Sequence, residues 1–185
     1  MRLLKGRRKY QMNSNIEIVG LILSLLNYCF VFLMIFNLLK VNYFNPIVST
    51  FVKIYKPISK ILPTLINPVI NIFVIAVGLK LLSLIVYFGS QYETITLLGV
   101  AIIQTLMVTV RIIFFAVIGG VILSWISPEK SNAFLELVVE ISYKSLEPIR
   151  KYIPSAGGLD FSPLFVLILI NLIENFLSDI LRSIV

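Results

Sequence analysis

The chain has 185 residues, of which 58% are hydrophobic and 14% are charged, and its mean hydropathy is +0.98. A soluble domain of this size could not bury so much apolar surface, so the composition predicts an integral membrane protein. The chain has no histidine and a single cysteine. This excludes histidine-dependent catalysis, histidine-ligated metals, disulfides and thiolate cages. We therefore expect no enzyme activity, no metal and no cofactor.

Residues 1–11 form a basic arm ahead of the first apolar segment. Its cations are Arg2, Lys5, Arg7, Arg8 and Lys9. Because the arm is short and directly precedes a membrane segment, anionic lipid suits it better as a partner than nucleic acid does. A second hypothesis is that translation starts at Met12 and that the arm is an upstream over-extension of the reading frame.

Four apolar segments are long enough to cross a hydrocarbon core of about 30 Å, which needs about 20 helical residues. They cover about residues 18–39, 69–88, 103–125 and 163–181. The third lies within a longer apolar run, 95–126, and one straight helix of that length would exceed the core. We therefore expect residues 95–102 to form a separate interfacial or re-entrant lead-in. The predicted fold is an all-α membrane protein with four transmembrane helices and no soluble domain.

The two long connections, between spans one and two and between spans three and four, share one amphipathic pattern. Polar positions in the first are Asn45, Ser49, Lys53, Lys56 and Lys60. The same steps of four, four, three and four recur 91 residues later, at Glu136, Glu140, Lys144, Glu147 and Lys151. These steps put the polar side chains on one helical face. An 87-residue offset, which aligns Asn45 with Asn132, differs by about one helical turn.

We therefore predict two tandem repeats, residues 12–92 and 93–185, each composed of a helix, an amphipathic loop and a helix. Two such units in tandem put both loops at the same face of the membrane. Each loop helix is suited to lie in the headgroup layer. In the third span, Ala116, Gly119 and Gly120 form a small-residue face that allows close helix approach, either within the monomer or in a homodimer.

Three charged residues fall within or beside the apolar spans: Lys80, Arg111 and Glu174. A charge at the centre of a bilayer costs at least about 2.5–3.5 kcal/mol, so it marks either pairing or function. One interpretation is that Lys80 and Arg111 extend to the interface while Glu174 lies near a helix end. The other is an intramembrane pair of Glu174 with Lys80 or Arg111, which would hold helices together or line a polar path.

The connection before the fourth span contains Gly157, Gly158, Asp160, Ser162 and Pro163. Glycine permits a turn, and Asp160 or Ser162 can cap a helix that begins at Pro163. The alternative is that Asp160, with the nearby Arg150 and Lys151, forms a polar docking spot for a partner protein or a lipid headgroup.

These motifs closely resemble the YggT family of small bacterial membrane proteins. The resemblance lies in Gly119-Gly120 with Ser124-Trp125, in Glu147-Pro148-Ile149-Arg150-Lys151 followed by Pro154, and in Gly157-Gly158-Leu159-Asp160-Phe161-Ser162-Pro163. It implies a non-enzymatic envelope protein of the bacterial inner membrane. It also implies roles in osmotic tolerance, cell division or, as in plastid relatives, assembly of membrane complexes.

Four spans leave both termini on one side of the membrane and both loops on the other. The loops contain eight cations, whereas the arm and Arg182 together contain six. Starting at Met12 would remove the arm, and the positive-inside rule would then place the loops in the cytoplasm. We expect an envelope scaffold whose loops contact lipid or other membrane proteins, or whose copies self-associate. The alternative is a small channel or transporter component in which Lys80, Arg111 and Glu174 line a polar route.

Overall fold

The computed structural model describes residues 14–61, 67–126, 132–153 and 160–184, so the basic arm at 1–11 lies outside the described residues. Within these ranges the chain is all-helical. The helices are α1 (Ser14–Leu38), α2 (Pro46–Ile61), α3 (Pro68–Phe88), α4 (Thr94–Ile126), α5 (Ala133–Arg150) and α6 (Ser162–Ile184). Of these, α1, α3, α4 and α6 are long and apolar enough to cross a membrane. The predicted all-α, four-span, multi-pass fold is confirmed.

The predicted spans agree with α1, α3 and α6 to within a few residues at each end, but the third span differs. Residues 95–102 are not a separate lead-in, because they form the first turns of a continuous 33-residue α4. Their inner side chains, Leu97, Val100 and Ala101, are buried in one cluster with Val77 and Leu84 of α3. Packing against α3 therefore keeps residues 95–102 helical and continuous with the rest of α4, although the length of the apolar run alone suggested a break.

Asparagine side chains cap the first turns of α2, α3 and α5. The Oδ1 atoms of Asn45 and Asn67 accept hydrogen bonds from the amides of Ile47 and Val69, each at 3.0 Å. Asn132 Oδ1 accepts from two amides, those of Phe134 and Leu135. In α2 and α3 a proline follows the asparagine, where its missing N–H costs no hydrogen bond.

The four spans form an antiparallel bundle in which α1 packs mainly on α3, and α4 packs on α3, α5 and α6. The largest apolar cluster extends from Phe30–Phe36 of α1 through Ile72 and Ala76 of α3 to Ala116 of α4 and Ile141 of α5. One core therefore joins the two halves of the chain.

Buried polar side chains also connect the spans. Asn27 Nδ2 of α1 donates to the carbonyl of Ala76 at 2.8 Å and to Thr105 Oγ1 of α4 at 3.4 Å. Ser24 and Ser83 share a 2.8 Å hydrogen bond between their hydroxyls. Because these groups satisfy one another, the polar residues of α1 stabilise helix packing inside an apolar bundle.

The order of span, amphipathic helix and span occurs twice along the chain. The common origin of the two units stays a prediction. The small-residue face of α4 packs within the monomer: a Cβ on Gly120 would come within 2.4 Å of Ser142 Cβ on α5, and a Cβ on Gly119 within 2.9 Å of a Val138 methyl. The glycines therefore provide the close approach of α4 to α5.

Candidate functional site

The amphipathic helices α2 and α5 meet at one end of the bundle. We call α2, α5 and the connecting residues 39–45 the amphipathic platform. The backbone N–H of Asn42 donates to Glu140 Oε1 at 2.8 Å, and Asn45 Nδ2 donates to the carbonyl of Ala133 at 2.7 Å. Lys144 Nζ donates to the carbonyl of Lys40, a residue with φ of 51° at the turn after α1. These bonds join the first half of the chain to the second.

Glu140 lies at the centre of these contacts. Besides accepting from Asn42, its Oε1 lies 3.1 Å from Lys144 Nζ, one helical turn away on α5. A cleft of about 260 Å³ opens beside it and is lined by Asn42, Phe44, Asn45, Pro46, Glu136 and Glu140. With two carboxylates and no basic side chain in its lining, the cleft can accept hydrogen-bond donors or a cationic group.

Exposed aromatic side chains surround the platform. Phe44 is 95% exposed, Tyr152 is 84% exposed and Trp125 is 82% exposed. Aromatic residues concentrate where a membrane meets water. This end of the bundle is therefore suited to the headgroup layer, as expected for amphipathic helices lying along the membrane surface.

An apolar groove of about 510 Å³ lies between α1, α4 and α5. Its walls include Phe32, Phe115, Gly119, Phe134 and Val138. These side chains offer no hydrogen-bonding group, so the groove can bind by packing alone, for example around an acyl chain or an apolar side chain.

The corner between α5 and α6 brings together three of the predicted turn and docking residues, Arg150, Asp160 and Ser162. Arg150 Nε donates to Asp160 Oδ2 at 2.9 Å, and Asp160 Oδ1 accepts from the backbone N–H of Ser162 at 2.9 Å. The Arg150 guanidinium also lies 5.0 Å from the centre of the Tyr143 ring. Asp160 therefore caps α6, and Arg150 uses its charge within the chain.

The pKa of Asp160 is set by opposing effects. Partial burial raises the pKa. The hydrogen bonds from Ser162 and the hydrogen bond and charge of Arg150 together lower it by more, so the net pKa lies below the ordinary value of 3.8. The carboxylate thus stays ionised at neutral pH and keeps its hydrogen bonds to Arg150 and Ser162.

The other turn and docking residues have separate places. Pro148 lies inside the last turns of α5, Lys151 is an exposed residue that ends that helix, and Pro163 follows Ser162 in the first turn of α6. Gly157 and Gly158 lie outside the described residues.

Two of the three charged residues in the spans form a pair. Arg111 Nε of α4 donates to Glu174 Oε1 of α6 at 3.0 Å. Both residues lie near the middle of their helices, so neither reaches a helix end. Lys80 is half-buried on α3, and within the described part of the chain it forms no ion pair with Glu174. The predicted trio is therefore a pair plus one separate lysine.

Sequence reasoning missed the polar residues that connect elements distant in the chain, chiefly Asn42 and Thr105. Thr105 resembles any small residue of an apolar helix, and its role depends on facing Asn27 from another span. Asn45 carried a usable signal, because asparagine before proline ahead of an amphipathic run is typical of a helix start. Across residues 14–61, 67–126, 132–153 and 160–184, no group of three acidic or cysteine side chains could hold a metal ion.

Comparison with known proteins gives consistent relatives. A family model described as CCB3/YggT matches residues 99–181. An uncharacterized protein of Haemophilus influenzae is 31% identical over 147 residues, which cover 77% of this chain and 79% of that protein. An uncharacterized protein of Pseudomonas aeruginosa is 30% identical, with 80% of each chain covered. The uncharacterized protein YggT of Escherichia coli K12 is 26% identical, with 77% of each chain covered. No solved structure gives a significant match.

Proposed function

The chain belongs to the CCB3/YggT family, and on that basis we propose that it is a non-enzymatic scaffold of the bacterial inner membrane. In this proposal the amphipathic platform binds anionic lipid headgroups and a second membrane protein. The four spans hold the platform at the membrane surface.

The observation that carries this proposal is the set of hydrogen bonds within the platform. Asn42 and Asn45 are bonded to Glu140 and Ala133, so α2 and α5 are held relative to one another before any partner arrives. A surface that is already ordered loses little conformational entropy on binding. Exposed aromatics at this end supply contact area with few rotatable bonds.

Site-specific photo-crosslinking in native membranes tests this role. A photoreactive residue would replace Phe44 of the platform, Tyr152 just after α5, or Tyr92, a 41% exposed residue beyond the opposite end of α3. We expect Phe44 and Tyr152 to capture the same protein while Tyr92 does not, and we expect capture to fall in the Asn45→Ala variant. Equal capture from both ends, or none from the platform, would contradict the scaffold role.

We also propose that the platform faces the cytoplasm. The two loops contain eight cations, whereas the side of the membrane that carries the termini contains Arg182 when the basic arm is left out. In a Cys29→Ser background, Phe44→Cys and Ser183→Cys place thiols at opposite ends of the bundle. A membrane-impermeant maleimide added to intact cells should label the Ser183→Cys variant, and should label Phe44→Cys after lysis alone. The reverse pattern would place the platform outside.

The cellular processes that we propose for this scaffold are osmotic tolerance, cell division or assembly of membrane complexes. A deletion strain complemented with the wild-type chain or with Asn45→Ala tests them together. Growth after osmotic shock and cell length should recover with the wild-type chain and recover less with Asn45→Ala. Full recovery with both chains at equal expression would mean that these processes do not depend on the hydrogen bonds of the platform.

A second candidate function, a small channel or transporter component, is favoured by the Arg111–Glu174 pair in the middle of two spans. Ion and osmolyte flux into proteoliposomes tests it, with Glu174→Gln and Arg111→Ala compared with the wild-type chain. Flux that depends on both residues would favour transport. Folded protein without flux would leave the scaffold proposal standing.

A further inference from the structure

A polar stripe follows one side of α6 in the middle of an apolar helix. Asn171, Glu174, Asn175 and Ser178 are spaced at i, i+3, i+4 and i+7, which places them on one helical face. The opposite side of the same turns is apolar and includes Leu172 and Phe176. The stripe is therefore directional, as in a helix that has a specific neighbour along one side.

This stripe reaches the surface of the monomer. The Asn171 and Asn175 side chains are exposed, and within the described residues neither amide makes a hydrogen bond. Beside them, Arg111 of α4 is 57% exposed at its side chain and uses one of its donors on Glu174. One turn further along α4, Phe115 is 63% exposed. We call Arg111, Phe115, Asn171, Glu174 and Asn175 the α4–α6 seam.

Hydrocarbon is a poor environment for the seam. Unpaired amides and guanidinium donors cost several kcal/mol each in lipid, where no water can satisfy them. Glu174, the partner of Arg111, lies about 18 Å of helix from the beginning of α6 and about 15 Å from its end, and the 23 residues of α6 about match the thickness of the core. Both distances exceed the reach of a glutamate or arginine side chain, so the seam requires a covering in the plane of the membrane.

We propose that a second copy of this chain covers the seam, packed around a two-fold axis along the membrane normal. The hydrogen bond between Arg111 and Glu174 shows that the two charges lie at one depth. A two-fold axis beside them brings Arg111 of one copy next to Glu174 of the other without adding net charge. The asparagine amides, which both donate and accept, are likewise self-complementary.

The small residues of α4 are not available for this role. Gly119 and Gly120 already contact α5 within the monomer. A contact between copies must therefore use another surface, and polar side chains are the other common means of joining membrane helices. This inference does not depend on the scaffold role, because it concerns the middle of the bundle and not the platform.

Disulfide crosslinking of single-cysteine variants in a Cys29→Ser background tests the proposal in native membranes. Asn171→Cys and Asn175→Cys place a thiol in the seam. Phe176→Cys is the matched control, because Phe176 lies on the same helix at nearly the same depth, is 64% exposed and points away from the stripe. We expect covalent dimers from the two seam variants and background levels from Phe176→Cys.

Charge variants test the arrangement within the dimer. Glu174→Gln should weaken dimerisation about tenfold in a lipid-dilution series, in the range measured for single polar contacts between membrane helices. Exchanging the charges, Arg111→Glu with Glu174→Arg, keeps the seam self-complementary and should restore dimerisation. Circular dichroism and size-exclusion profiles would show that each variant remains folded.

Three outcomes would overturn the proposal: equal crosslinking from Phe176→Cys and the seam, absence of crosslinked dimers from folded seam variants, or an adduct with a different protein in place of the dimer. The last would identify a heterologous partner on the same surface. If the seam variants form no dimers while photo-crosslinking from the platform is unchanged, this inference fails and the scaffold proposal stands.

Discussion

The amphipathic helices α2 and α5 occupy the same place in the two halves of the chain but are held by different means. In α5, Leu137, Ile141, Ser142 and Leu146 are buried, and the helix lies directly on the glycines of α4. Among the α2 side chains that the structure describes, Val48 alone is buried, and the helix packs through aromatic rings.

Those rings belong to both α1 and α2. The Phe51 ring lies 5.7 Å from Phe36 and 6.0 Å from Phe32, and Tyr55 meets Phe30 edge to face at 6.2 Å. The comparison indicates that the polar periodicity makes each segment an amphipathic helix, whereas the residues of the neighbouring span set how closely it docks. Aromatic side chains on a span keep the amphipathic helix at the distance that their rings set, whereas glycines on a span allow the backbone of the amphipathic helix to come close.

The largest effect should come from removing the ring that holds α2. Phe51→Ala should lower the free energy of unfolding by about 3 kcal/mol, the lower end for phenylalanine truncations because the ring is half-buried. Denaturant titration in mixed micelles measures this change. Phe44→Ala is the control, because Phe44 is 95% exposed and its loss should change little. Equal effects of the two variants would mean that the rings do not hold α2.

A smaller loss should follow from filling the space between α4 and α5. Gly120→Ala places a methyl group within 2.4 Å of Ser142 Cβ, and such overpacking costs about 2 kcal/mol. Gly78→Ala is the matched control, because a Cβ there meets nothing within 4 Å. It should be neutral or slightly stabilising, since alanine favours helix.

The double variant Gly120→Ala with Ser142→Gly tests the cause of that loss. It removes the Ser142 Cβ and Oγ atoms that the new methyl group meets and moves the glycine from α4 to α5, which leaves the summed helix propensity nearly unchanged, so it should recover most of the stability if the contact is responsible. If the double variant is no more stable than Gly120→Ala, the glycine acts through something other than its distance from Ser142.

The sequence was sufficient to predict the four spans, because apolar length decides them locally. It was also sufficient to identify Arg111 and Glu174 as candidates for a pair, since isolated charges in apolar helices need partners. It could not select Arg111 over Lys80, because that choice depends on how α3, α4 and α6 are rotated about their axes. The continuous start of α4 was missed for a similar reason: Leu97 and Ala101 gain their stabilisation from α3, which helix length does not reveal.

The asparagines that cap α2 and α5 give a sharper comparison of the halves. Asn45 caps α2 and also bonds to Ala133 of the other half, whereas Asn132 caps α5 from within its own half. Replacing a cap by alanine costs about 1 kcal/mol, and losing a hydrogen bond adds roughly another 0.5 to 1 kcal/mol. Asn45→Ala should therefore destabilise more than Asn132→Ala in the same titration. Equal losses would mean that the Ala133 contact contributes nothing.

The smallest effect should appear at acid pH in the corner between α5 and α6. Because the folded chain lowers the pKa of Asp160, its contribution is present above the ordinary value of 3.8 and is lost as pH falls through the lower folded value. The pair is more than one-third exposed, so this contribution should be a few tenths of a kcal/mol. Unfolding titrations at pH 7 and below pH 3 would show a loss in the wild-type chain that is smaller in Asp160→Asn. A loss of the same size in both chains would mean that Asp160 is not the source of the acid sensitivity.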